Sequence, residues 1–200
     1  FHTGYTGLIH RGQLSQNETL LVLGGAGSSG SAAIQLGKAV GAEVIATVSS
    51  DEKASFCKKL GADHTINYRE KPINEAIREL KGKSGVDMIF DPVGGQAYAQ
   101  SVKCIARNGR VILIGYSSGE WPKIDPLNAI LRSYSLVGAF PGGRSGTEAH
   151  EHHEILCRMA ETAKIRTPLD KIYDFSETPS AIERVGSGQA VGKVVISGSG

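Results

Sequence analysis

Apolar and polar positions follow two periods along this chain. Thr19-Leu20-Leu21-Val22-Leu23 is an apolar run that follows the turn-like Ser15-Gln16-Asn17-Glu18 and ends in glycines. A short run apolar on both faces predicts a buried parallel strand. Over residues 29–40, Ala33, Ile34, Leu36 and Val40 recur near helical spacing, and Gly41 closes the element as a C-cap. Residues 43–48 predict the second strand. Ser50 is placed to N-cap a helix running to Leu60, closed by Gly61. Residues 64–68, 86–90, 110–114 and 135–140 predict four more strands. Helices are predicted between them over residues 73–81, 96–107 and 126–132, and a last one over about 147–164. Strands joined by helical crossovers predict an α/β fold, a doubly wound six-stranded parallel sheet of order 3-2-1-4-5-6. After Pro168 the pattern changes to a small strand-helix-strand appendix: a strand over 171–175, a helix from Ser176 to about Val185, and a strand over 193–197.

The glycines ending the first strand carry the first chemical signal. Gly25-Ala26-Gly27-Ser28-Ser29-Gly30 fits G-x-G-x-x-G between a predicted buried strand and a predicted helix. The first glycine permits a tight turn, the second lets a pyrophosphate approach the backbone, and the third lets helix pack closely on strand. A pyrophosphate there meets free N–H groups and the positive end of the helix dipole. Without that context the string could be only a glycine-rich turn. The end of the second strand bears on which dinucleotide binds. Sites selective for NAD place an Asp or Glu about 20 residues past the loop, on the ribose 2′-OH. Ser49 stands there instead, with Lys53 in the next helical turn. A serine can donate to a 2′-phosphate and a lysine can neutralise it, so the expected cofactor is NADP(H). Asp51 could serve as a ribose acid after a small loop shift, or simply sit favourably at a helix N-terminus.

Longer stretches resemble the medium-chain dehydrogenase/reductase superfamily, in its zinc-independent quinone oxidoreductase branch. They are Val22 to Gly30, then Ala32-Ala33-Ile34-Gln35-Leu36-Gly37-Lys38, Leu60-Gly61-Ala62-Asp63-His64, Ile66-Asn67-Tyr68-Arg69 and Gly192-Lys193-Val194-Val195-Ile196. The resemblance implies cofactor contacts at Thr3, Ala26, Gly27, Ser28, Ser29, Gly30, Ser49, Lys53, Tyr68, Gly115, Tyr116 and Ser117. Lys53 and Tyr68 would hold the 2′-phosphate, the glycine loop the pyrophosphate, and Thr3 with residues 115–117 the nicotinamide end. Some members add a basic residue from the C-terminal loop. Gly186-Ser187-Gly188-Gln189 offers none. The resemblance also implies two parts: residues 1–168 as a Rossmann domain with an N-terminal connecting helix, and 169–200 as a tail that in the family joins a GroES-like domain. The chain begins at that connecting helix, so it is expected to be a piece of a longer protein and inactive alone.

The implied activity is hydride transfer from NADPH to a quinone or an α,β-unsaturated carbonyl. Alternatives are an enoyl reductase unit of a polyketide or fatty-acid synthase, a zinc-dependent alcohol dehydrogenase, and a cofactor-binding module without turnover. No catalytic residue is assigned. Tyr116 reads as an aromatic packing on cofactor more readily than as a general acid. His150, His152, His153 and Glu154 read as an exposed polar helix face, since H-E-x-x-H is not met, and no metal site is expected. The resemblance further implies a homodimer through the apolar edge strand 135–140.

Composition narrows the rest. A net charge of +2 over 200 residues gives no argument for nucleic acid or an anionic membrane. The three cysteines form no C-x-x-C pair, and no apolar run reaches a membrane-spanning length. Both fit a protein of a reducing compartment, expected to be cytoplasmic, acting on a small molecule.

Overall fold

The computed structural model describes residues 1–143 and 145–198. Strands β1 (Thr19–Val22), β2 (Glu43–Val48), β3 (His64–Asn67), β4 (Val86–Asp91), β5 (Ile105–Leu113) and β6 (Ser135–Gly138) form one sheet in the order β3-β2-β1-β4-β5-β6. Every pairing in it is parallel. The expected doubly wound order is therefore observed. In β1 all four residues are buried, and alternate side chains enter opposite halves of the core. Leu20 and Val22 pack in one layer with Ile34 and Leu36 of α2 (Ser28–Val40). Leu21 lies in the other, with Ile73 and Ile77 of α4 (Ile73–Lys81). The two-sided apolar run thus reflects helices on both faces.

The N-terminal helix is α1 (His2–Gly4), continued by a π-helix over Tyr5–Arg11. Arg110 of β5 ties its end to the sheet. The Arg110 guanidinium donates to Gly12 O (2.8 Å) and through both terminal nitrogens to the Glu18 carboxylate (2.8 and 2.7 Å). That hydrogen-bonded guanidinium holds the Glu18 carboxyl below its ordinary range.

Several boundaries differ from the sequence reading. The helix expected over 96–107 is α5 (Gly95–Ser101) followed by a 3₁₀ turn over Val102–Cys104. Ser101 Oγ and Cys104 Sγ donate back to carbonyls three residues earlier, which competes with the helical ladder. The chain then reaches the sheet early: Ile105 pairs with Val86, and a bulge absorbs the offset before Arg110 pairs with Met88. The last strand of the sheet is shorter than 135–140. Gly138 pairs with Leu113, where β5 ends, and Pro141 then starts a 3₁₀ turn. Helix α7 (Gly146–Glu161) stops before Lys164 because Thr162 Oγ1 back-bonds to Arg158 O and Ala163 takes φ 55°. Helices α3 (Asp51–Lys59) and α6 (Pro126–Arg132) fall where expected. The appendix is a separate parallel pair, β7 (Leu169–Asp174) with β8 (Lys193–Ser197), joined through α8 (Thr178–Gly186). Among the described residues no helix is long and apolar enough to cross a membrane.

Candidate functional site

The order β3-β2-β1-β4 reverses direction between β1 and β4, and in such sheets ligands bind beyond the strands' C-terminal ends at that switch point. A cleft of about 950 Å³ lies there. The loop after β1 is pinned by β2: Gly24 N–H donates to Thr47 Oγ1 (3.1 Å) and Gly25 N–H to Thr47 O (2.9 Å). Two glycines of the motif are forced by packing. A Cβ on Gly25 would lie 2.8 Å from Ala46 Cβ, and one on Gly30 would lie 2.2 Å from Gly24 O. Gly27 is the N-cap of α2, in extended conformation. No side chain caps this helix, and its first turn carries no acidic residue. By contrast, Ser50 accepts from Lys53 N at the start of α3, and Asp125 accepts from Leu127 N at the start of α6. The cleft thus contains a helix N-terminus whose orphan N–H groups face an open space, an arrangement that favours an anion.

Lys53 stands across from it. Its Nζ donates to Ser49 Oγ (3.3 Å) and to Gly188 O (2.6 Å). The glycine-rich C-terminal loop therefore supplies a carbonyl that fixes the lysine, though it supplies no cation. Lys193 of β8 also lines the cleft, and among the described residues no Asp, Glu, Cys or His does. The lining is thus cationic without compensating acid. Asp51 occupies the first turn of α3, the favourable helix-terminal position expected of it.

Of the residues singled out in the sequence, Gly27, Ser28, Lys53, Tyr68 and Ser117 line the cleft together. Tyr68 is half exposed there. Ser49 reaches it through Lys53. Ser29 and Gly30 lie in the first turn of α2, with Gly30 buried beneath the loop. Ala26 is buried, and its carbonyl accepts from Gly192 N–H (3.0 Å), joining the glycine loop to the start of β8. Thr3, Gly115 and Tyr116 are not brought to the cleft lining. The Tyr116 ring packs on Trp121 instead, with centroids 3.9 Å apart.

The sequence reading missed Lys193 and Thr47. Lys193 follows a glycine in a stretch noted only for its resemblance, and nothing local says that β8 returns to the glycine loop. In the β4 turn, Val93 and Gly94 line the cleft, and their N–H groups donate to Asp91 Oδ1 (2.9 and 2.8 Å). Asp91 is fully buried, and burial raises its carboxyl above the ordinary range against those two donors.

Residues 30–160 match the family described as zinc-binding dehydrogenase. The chain belongs to that family. Its relatives fall in the expected quinone oxidoreductase branch of the medium-chain dehydrogenases and reductases. It is similar to a quinone oxidoreductase-like protein 2 homolog of Nematostella vectensis, 32% identical over 98% of this chain and 55% of the relative. It is also similar to prostaglandin reductase-3 of Mus musculus, 42% identical over 58% of this chain and 31% of that protein. Among solved structures it resembles Escherichia coli quinone oxidoreductase complexed with NADPH, with TM-score 0.90 and 26% identity over 98% of this chain and 61% of that one. The chain spans about half the length of the curated relatives it matches. The family's description implies zinc. The cleft residues present do not fit one, since among the described residues the lining holds no Cys, His, Asp or Glu.

Proposed function

We propose that the chain binds NADPH in this cleft and serves hydride transfer to a quinone or an α,β-unsaturated carbonyl. The observation that carries the reading is the uncapped α2 N-terminus facing two lysines with no carboxylate in the lining. That charge pattern suits a ligand with several phosphates. In this reading the Ser28 and Ser29 N–H groups donate to the pyrophosphate, and Gly27, whose own N–H is held by Gly24 O, leaves it room. Lys53 neutralises the 2′-phosphate, Ser49 and Tyr68 donate to it, and the Gly188 carbonyl keeps Lys53 in place. Ser117 borders the nicotinamide side, and no contact is assigned to Thr3, Gly115 or Tyr116. The cofactor supplies the hydride when bound. The chain's own residues bind it, orient it and exclude water, and none is assigned to proton transfer. The names of the relatives, quinone oxidoreductase-like protein and prostaglandin reductase, support a quinone or enone acceptor. Free cysteines and the lack of a membrane-crossing helix among the described residues support a cytoplasmic setting.

Hydrogen–deuterium exchange with and without NADPH tests the placement. Protection is expected at residues 27–31, 49–53 and 186–193. Protection confined to other segments would overturn it.

The edge strand β6 supports a homodimer in which two sheets join, because it stands last in the order given above and among the described residues pairs only with β5. Sedimentation should find a dimer at micromolar concentration, and a monomer at all concentrations would refute the pairing.

A further inference from the structure

The histidines of this chain are not spread evenly. His2 and His10 lie on the N-terminal helix, and His150, His152 and His153 on α7, which packs beside it. The expected exposed polar face of α7 needs correction here, because His152 is buried at 7% exposure. Its ring meets Tyr5 edge-on at 4.7 Å and His10 at 5.1 Å between centroids. Glu148 and His152 are four residues apart, so they share one face of α7. His10 Nε2 approaches Glu148 Oε1 to 3.3 Å. Donor atoms of His10, Glu148 and His152 all lie within 4.8 Å of one another.

We propose that His10, Glu148 and His152 form a binding site for a divalent transition metal, zinc in the first instance, that clamps the N-terminal helix to α7. Two imidazoles and a carboxylate are a borderline-soft N₂O donor set, and three protein ligands leave a fourth position for water. Tetrahedral zinc holds its donor atoms roughly 3.3 Å apart. The His10–Glu148 pair already has that spacing, and His10 is exposed, so rotation of its side chain can close the wider gaps. His152 is buried with its ring edge-on to Tyr5. The π-helix that presents His10 is itself a rare element that recurs at functional sites. Two nearby pairs, His150 with Glu154 and His153 with Cys157, offer only two donors each. None of the three proposed ligands lines the cofactor cleft.

The test is a calorimetric titration of the untagged, chelator-treated protein with zinc chloride, together with the visible spectrum of the cobalt(II) form. One saturable equivalent is expected, with tetrahedral cobalt bands and a raised melting temperature. His10→Gln and Glu148→Gln should each weaken zinc by more than about ten-fold and abolish the cobalt bands, with NADPH affinity unchanged. His150→Gln and His153→Gln should leave zinc binding as it was. The proposal is overturned by the lack of saturable binding, by affinity unchanged in both His10→Gln and Glu148→Gln, or by loss confined to the His150 and His153 variants.

Discussion

Gly30→Val will cost the protein at least about 4 kcal/mol of stability and all measurable NADPH binding. The reason is local and steric. A Cβ on Gly30 would sit 2.2 Å from Gly24 O and 2.8 Å from Gly25 Cα, with backbone on that side. No flexible side chain is there to yield, so either the β1–α2 turn opens or α2 lifts off the sheet. Even Gly30→Ala should lower the thermal midpoint clearly. Gly27 provides the contrast. A Cβ there would meet nothing nearer than Gly24 O at 3.5 Å, yet Gly27 lines the cleft. Gly27→Ala should therefore keep its melting temperature and still lose affinity for NADPH, because the methyl group would take up space proposed for the pyrophosphate. Thermal denaturation and calorimetry on the two alanine variants separate the roles. Equal stability in Gly30→Ala and the unaltered protein would contradict the packing account.

Lys53→Glu should weaken NADPH by about 100-fold, or about 2.7 kcal/mol, and NADH by far less. The substitution replaces a cation with an anion at the place proposed for the 2′-phosphate, and that phosphate is the only group by which the two cofactors differ. Lys53 is held by Ser49 Oγ and Gly188 O, so its ammonium is positioned before any ligand arrives. Lys193 should behave differently. It lines both the cleft and a small adjoining cavity beside Ser28, at the start of α2. Lys193→Gln is expected to weaken both cofactors by similar factors, as a pyrophosphate neighbour would. Equal losses of NADPH and NADH in Lys53→Glu would remove it from the 2′-phosphate.

The features legible in the sequence are those set by local rules. Thr19–Val22 is apolar on both faces because it lies at the centre of the sheet. Ser50 caps α3 through a hydrogen bond that spans three residues. Helix α4 begins and ends where its apolar spacing does. The features that were not legible depend on distant partners. The early start of β5 follows from its pairing with Val86. The burial of His152 follows from where Tyr5 and His10 are packed, and in the sequence a buried histidine of α7 is indistinguishable from its exposed neighbours His150 and His153. Lys193 joins the site only because Gly192 N–H reaches Ala26 O. The part of the cleft made by the glycine loop and the end of β2 is legible because consecutive βα units build it. The part made by the tail is not, because no short-range pattern encodes its return.

In the proposed function this cleft selects a cofactor bearing a 2′-phosphate. Calorimetric titration of the unaltered chain with NADPH and with NADH, at one ionic strength, tests it most directly. One NADPH is expected to bind per chain, tighter than NADH by about ten-fold or more. NADH binding as tightly as NADPH, or no binding of either, would contradict it.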